Sequence, residues 1–283
     1  MEETPMHTPL DRVQMVWAEA QQLTRYLHAL PPAAWHCPSA CERWQVSDVV
    51  VHLATCAEFY AGSICRGLQG DTTPPPGFSP PGVDMATAAE RIAQGAIARR
   101  QHLGDQVLAT FTSATARLHH LLSHLGPQAW ALPCYHPARV RPMRAFVDLW
   151  MHELAIHGWD IRSRLEPSAH VSDESVSIFM EIMPKTLLGK GLSDARLPVP
   201  VRARFALTGV AGRRVDLVLD TATAQLEAAG ESPAHLRFCC DTETFVLLLY
   251  GRLRLAAVIA SGRVVSESDP ALVTILDEWF KGG

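Results

Sequence analysis

Residues 151–160 read MHELAIHGWD. Glu153 and His157 stand four apart in this stretch, an interval that puts both side chains on one face of a helix, a single turn from each other. A carboxylate and an imidazole so placed have the spacing of a ligand pair. The stretch sits inside a run of helix-compatible residues from Pro142, suited to a first helical turn, to about Leu165, where Pro167 follows.

Working outward from that helix, the N-terminal part of the chain is helical by pattern. Leu10, Val13, Val16, Trp17, Ala20, Leu23, Leu27 and Leu30 recur three or four apart with polar residues between them, the mark of an amphipathic helix. Pro31 and Pro32 stop it. A second helix is expected from Ser47, read as its N-cap, to about Leu68. The following segment to Gly82 contains PPPGFSPPG and reads as a surface loop. From Met85 to Leu125 nearly every residue favours helix, and a straight helix of that length would span about 60 Å, so a break is expected near Gly104. These segments make residues 8–166 a four-helix bundle.

The pattern then changes. After a helix from Asp173 to about Leu188, Val199–Leu207 and Arg214–Leu219 read as strands, with Ala224–Ala228 as a third. Asp241–Tyr250 and Pro270–Phe280 read as helices. The expectation is an α+β chain: a helical domain over 8–166 and a smaller α+β domain over 167–283.

Composition narrows the function classes. The chain has 283 residues and a formal charge of −4, without a long Lys/Arg run, which disfavours nucleic acid as a partner. No apolar stretch approaches a membrane span and the first ten residues do not resemble a secretory signal, so a cytoplasmic protein is expected. Seven cysteines at irregular spacings, without a C-x-x-C pair, point to reduced thiols rather than a disulfide framework or a zinc ribbon.

In the second helix, His52 lies within the apolar run VVVHLATC, where a buried imidazole needs a partner. It is the candidate third ligand beside Glu153 and His157, although E-x-x-x-H alone is common on helix surfaces and a lone buried histidine is commonly a hydrogen-bonded core residue. Zinc accepts imidazole and carboxylate and in catalytic sites keeps a position open. Cys56, one turn after His52, reads either as a fourth ligand or as a core thiol. His152 points elsewhere around its helix; His119, His120 and His124 form a polar face without a nearby acid; Asp160 fits either a hydrogen bond to a ligand imidazole or a surface role.

Trp44, Val46, Asp48, Val50, His52 and Leu53, in the order W-x-V-x-D-x-V-x-H-L, together with HELAIHGWD at residues 152–160, resemble the mycothiol-dependent maleylpyruvate isomerase family of DinB-like metalloenzymes. The resemblance implies a DinB-like bundle, with a C-terminal domain of sterol-carrier type suggested by the tail. It also implies a divalent metal, zinc, on His52, Glu153 and His157. The co-substrate would be a low-molecular-weight thiol, mycothiol or an equivalent, which attacks a small electrophile when bound to the metal, in an isomerase or S-transferase reaction. A second-domain arginine would bind substrate, with Arg252, Arg254 and Arg263 as possible equivalents, although each also reads as a surface residue. The residues alone leave two alternatives open: a metal-dependent hydrolase or amidase that activates water at the same site, and a non-catalytic small-molecule binding protein.

Overall fold

The structure is a computed structural model and describes residues 7–82, 85–186, 201–220 and 224–280. Contacts divide the chain into two compact units, residues 1–170 and 171–283. The expected α+β architecture is present, with helices in the first unit and a sheet with helices in the second.

Helix α1 (Pro9–Ala29) begins with a capping box: Thr8 accepts from the Asp11 amide and Asp11 accepts from the Thr8 amide, satisfying two end groups. Its buried stripe is Val13, Val16, Ala20, Leu23 and Leu27, as the periodicity predicts, while Leu10 stays exposed. The cap of helix α2 (Val46–Leu68) lies two residues before the expected one. Gln45 occupies the N-cap position and Ser47 lies inside the first turn, because the Asp48 carboxylate reaches back to the Gln45 amide at 3.1 Å. Asp48 is buried and also accepts from Arg100 at 2.6 Å, which ties the start of α2 to the end of α3 (Met85–Leu103).

The expected break falls at Gly104, whose φ of 50° is open to glycine at little cost; a 3-10 turn, Gly104–Gln106, separates α3 from α4 (Val107–Ser123). Pro142 is not in a helical turn. It pairs with Pro133 in a two-stranded antiparallel ribbon of β1 (Pro133–Cys134) and β2 (Arg141–Pro142), and α5 (Arg144–Arg162) begins two residues later. Proline, lacking an N–H, is tolerated at such an edge. Helix α2 packs on α3, α4 and α5, and α1 packs on α4 and α5, so the apolar stripes converge on one core.

In the second unit, α6 (Asp173–Thr186) precedes a five-stranded sheet; Leu188, the expected end of this helix, and Val199, the expected start of the first strand, lie outside the described residues. The strands are β3 (Val201–Thr208), β4 (Arg214–Leu219), β5 (Ala224–Ala228), β6 (Leu236–Asp241) and β7 (Val265–Ser266), in the order β5-β4-β3-β6-β7. Strand β6 runs parallel to β3 and the other pairings are antiparallel. It was not expected, since LRFCCD has no β-branched residue, yet its burial alternates, with Leu236, Phe238 and Cys240 inward and Arg237 and Cys239 outward. Cys239 and Cys240 therefore face opposite sides of the sheet, and burial pushes the Cys240 thiol up to about 12. Helices α7 (Thr242–Leu249), α8 (Leu255–Ala260) and α9 (Pro270–Trp279) complete the unit. No helix among the described residues is long and apolar enough to cross a membrane.

Candidate metal centre

Where α2 packs on α5, His52, Glu153 and His157 come together. His52 Nε2 lies 3.1 Å from Glu153 Oε2, and His157 Nε2 lies 3.5 Å from the same oxygen. The imidazoles stand nearly perpendicular, at 80° with centroids 4.8 Å apart. Potential ligand atoms from all three side chains lie within 4.8 Å of one another. The spacing inside α5 supplies two of them; the third comes from the apolar middle of α2, flanked by fully buried Val51 and Leu53.

The surroundings hold these groups in place. The Trp44 ring lies 5.0 Å from that of His52 and 6.0 Å from that of His157, and its indole N–H donates to the Ala93 carbonyl at 3.3 Å. His157 Nδ1 lies 2.8 Å from Asp160 Oδ2, and Asp160 is wholly buried, which removes the surface role left open for it. An Nδ1–H donated to Asp160 leaves Nε2 facing Glu153, the arrangement that orients ligating histidines. Cys41 Sγ donates to the same Asp160 oxygen at 3.1 Å and lies 3.7 Å from His157 Nδ1. On the other side, the buried Tyr60 phenol donates to Glu153 Oε1 at 3.2 Å, leaving Oε2 to the imidazoles.

The electrostatics follow from this geometry. Burial works against the Glu153 charge, but hydrogen bonds and attraction from His157 and His52 prevail and hold its carboxyl well below the usual range. Burial likewise opposes a charged His157, while Asp160, Cys41 and Glu153 together hold its pKa well above the ordinary histidine value. Cys56 Sγ stands 3.5 Å from His52 Nε2, so it borders the site; burial, followed by the Glu153 charge, keeps this residue in its thiol form at neutral pH.

Other candidates go elsewhere. His119 stacks on Trp17 at 4.3 Å, His120 lies against His124, and neither they nor His152 belong to a ligand cluster among the described residues. In the second unit, Arg252 donates to the Tyr250 carbonyl at 2.9 Å, Arg254 pairs with Asp277, and Arg263 donates to Thr244 at 2.5 Å. The proline-rich loop is not a loose connection: Phe78 stacks on Phe59 at 5.1 Å and Tyr135 donates to the Ser79 carbonyl at 2.6 Å. Sequence reasoning missed Cys41 and Tyr60. Neither sits at a ligand interval from the motif, and only the packing of the 37–45 segment and α2 against α5 shows their roles.

Comparison with known proteins bears on the family and the fold. The family model described as mycothiol maleylpyruvate isomerase N-terminal domain matches residues 16–162, more than half of the chain. No curated protein sequence gives a significant match. Among solved structures, a mycothiol-dependent maleylpyruvate isomerase shares 16% identity and a TM-score of 0.63, covering 92% of this chain and 93% of its own. A histidine-to-alanine mutant of a mycothiol-dependent maleylpyruvate isomerase gives 15% identity and a TM-score of 0.64 at the same coverage, and at these identities the likeness is one of fold. Through the match over residues 16–162, the chain belongs to the mycothiol maleylpyruvate isomerase family.

Proposed function

We propose that His52, Glu153 and His157 hold a divalent metal, zinc, and that the protein is a thiol-dependent isomerase or S-transferase acting on a small electrophile with mycothiol or an equivalent thiol. The observation that carries this reading is one buried carboxylate oxygen facing the Nε2 atoms of two imidazoles, one of which is oriented from behind by Asp160. Two imidazoles and a carboxylate match the donor preferences of zinc, which would displace the His157 proton on binding, and leave room for a further ligand. When bound, such a metal supplies a lowered pKa to a thiol or water in its open position.

The chain's own residues do the rest. Asp160 sets the His157 tautomer, Tyr60 fixes the Glu153 rotamer, and Trp44 walls the two imidazoles from one side. In this reading the reacting thiol is external, in line with the mycothiol dependence that names the structural relatives.

The test has two steps. Purified protein should contain close to one zinc per chain by elemental analysis and lose it on His52→Ala. Its melting temperature should then rise with mycothiol but not with the corresponding S-methyl thioether, and mycothiol should support cis–trans isomerisation of maleylpyruvate. A protein with zinc that responds to no thiol would belong with the hydrolases instead, and a protein without zinc would end the reading altogether.

A further inference from the structure

Helix α2 presents three polar side chains in a row toward α5. His52, Cys56 and Tyr60 follow one another at intervals of four and so form one stripe along the helix. The two outer members both reach the Glu153 carboxylate, His52 at Oε2 and Tyr60 at Oε1. Cys56 stands between them. Its Sγ lies 3.5 Å from His52 Nε2, the same nitrogen that faces Glu153 Oε2.

That spacing has a chemical meaning. With zinc–nitrogen and zinc–oxygen bonds of about 2.0 Å and a zinc–sulfur bond of about 2.3 Å, tetrahedral geometry sets nitrogen and sulfur ligands about 3.5 Å apart, and nitrogen and oxygen ligands about 3.3 Å apart. The two imidazole nitrogens lie 3.1 and 3.5 Å from Glu153 Oε2, on either side of the second value, and Cys56 matches the first. The donors then come as two pairs four residues apart, His52–Cys56 from α2 and Glu153–His157 from α5, on helices that pack against each other. Cys56 is also more open than the core thiols Cys134 and Cys240. The other cysteine near the site, Cys41, approaches His157 at the far ring nitrogen, Nδ1, and donates to Asp160.

We propose that Cys56 is the fourth ligand of the resting metal centre and that the incoming thiol displaces it. The inference rests on the metal-and-thiol reading given above. In the metal-free chain Cys56 keeps its proton, whereas a thiol that coordinates a cation gives its proton up. In the exchange the bond from Cys56 Sγ to the metal breaks as the external sulfur bonds in its place, and the proton of the incoming thiol passes to Cys56 Sγ. No proton is released and nothing is oxidised. Cys56 thus keeps water from the reactive position until a thiol arrives.

The test counts sulfur ligands by zinc X-ray absorption on the full, zinc-loaded chain in buffer free of small thiols, before and after saturation with mycothiol. Wild type should show one sulfur in both states, because one replaces the other. Cys56→Ser should still bind zinc and should show no sulfur at rest and one with mycothiol; Cys41→Ala should behave as wild type. Should Cys56→Ser fail to fold, wild type and Cys41→Ala still decide the matter, since a resting sulfur that survives removal of Cys41 supports Cys56. No sulfur in resting wild type, or one sulfur retained in resting Cys56→Ser, would overturn the proposal. Two sulfurs in wild type with mycothiol would overturn the displacement. Failure of the underlying reading shows separately: a chain without zinc removes the centre itself, and a Cys56→Ser chain that gains no sulfur from mycothiol removes the thiol that would displace Cys56.

Discussion

Glu153 in the first unit and Asp216 in the second are both enclosed carboxylates facing two nitrogenous side chains, yet they differ in what those side chains can do. Asp216 is wholly buried and takes Nε and Nη2 of Arg204 at 2.7 and 2.8 Å and Nη1 of Arg202 at 2.9 Å. Its partners are permanent cations, so its charge is answered at every pH of interest. Glu153 instead faces two imidazoles, which offer lone pairs when neutral and cannot act as permanent counterions. The arginine-bound carboxylate joins two strands of a β-sheet; the histidine-bound one is the carboxylate for which a cation is proposed.

The largest effect should come from breaking the histidine-bound group. His52→Ala removes one of three donors, and zinc affinity should fall by at least about a thousandfold, equivalent to about 4 kcal/mol, beyond the 10- to 100-fold typical of losing an outer hydrogen-bond partner. Competition against a chelating dye measures it. Unchanged affinity would show that this triad does not hold the metal.

Breaking the arginine-bound group should cost stability and no metal. Asp216→Asn leaves two guanidinium groups facing an amide, and the chain should lose about 3 kcal/mol, the low end for a buried pair because both arginines retain some solvent contact. Urea unfolding measures it. The pH dependence has a definite sign. Hydrogen bonds from Arg204, opposed by burial and helped by Arg202, lower the folded Asp216 pKa below its reference of 3.8. Its contribution is thus fully present above that value and disappears as pH falls through the lowered folded pKa. The variant should show a smaller loss of stability on acidification than wild type, and a parallel acid limb would refute the role given to Asp216.

The two groups were not equally legible in the sequence. Helical periodicity places Glu153 beside His157 because the interval of four is a local property of one helix, and His52 stood out as a polar residue in an apolar run. Asp216 offered no comparable signal. Its partners Arg202 and Arg204 alternate along β3, and their meeting with Asp216 depends on the β3–β4 register, which no local pattern fixes. The same reason explains why Cys41 and Tyr60 were missed and why β6 was not expected. A parallel pairing with β3 brings together segments some thirty residues apart, and its burial alternation emerges only inside the sheet. Gly104 was readable because a glycine inside a long helical pattern marks a break wherever the helix goes.

Asp160→Asn should have an intermediate effect. An amide can present its N–H rather than its oxygen to His157 Nδ1, which favours the opposite tautomer and turns the Nε2 lone pair away from Glu153. Zinc affinity should fall about 10- to 100-fold, with secondary structure intact by circular dichroism. Wild-type affinity would reduce Asp160 to a packing residue.

The smallest effect should come from Tyr60→Phe, and it tests whether Glu153 differs from Asp216 in kind or only in degree. Asp216 draws on three guanidinium contacts, so its carboxylate would be held even after losing one. Glu153 Oε1 accepts from the Tyr60 hydroxyl at 3.2 Å while Oε2 faces the imidazoles, so removing that hydroxyl leaves the carboxylate freer to rotate. The ring itself stays packed, because its contacts with Phe146 at 5.6 Å and Trp150 at 6.3 Å do not involve the hydroxyl. Zinc affinity should therefore drop only about three- to tenfold, near 1 kcal/mol for one hydrogen bond, while the melting temperature of the metal-free chain barely moves. A large fall in metal-free stability with no change in zinc affinity would reverse the reading, making the Tyr60–Glu153 bond part of the bundle's packing and leaving the imidazoles alone to orient the carboxylate.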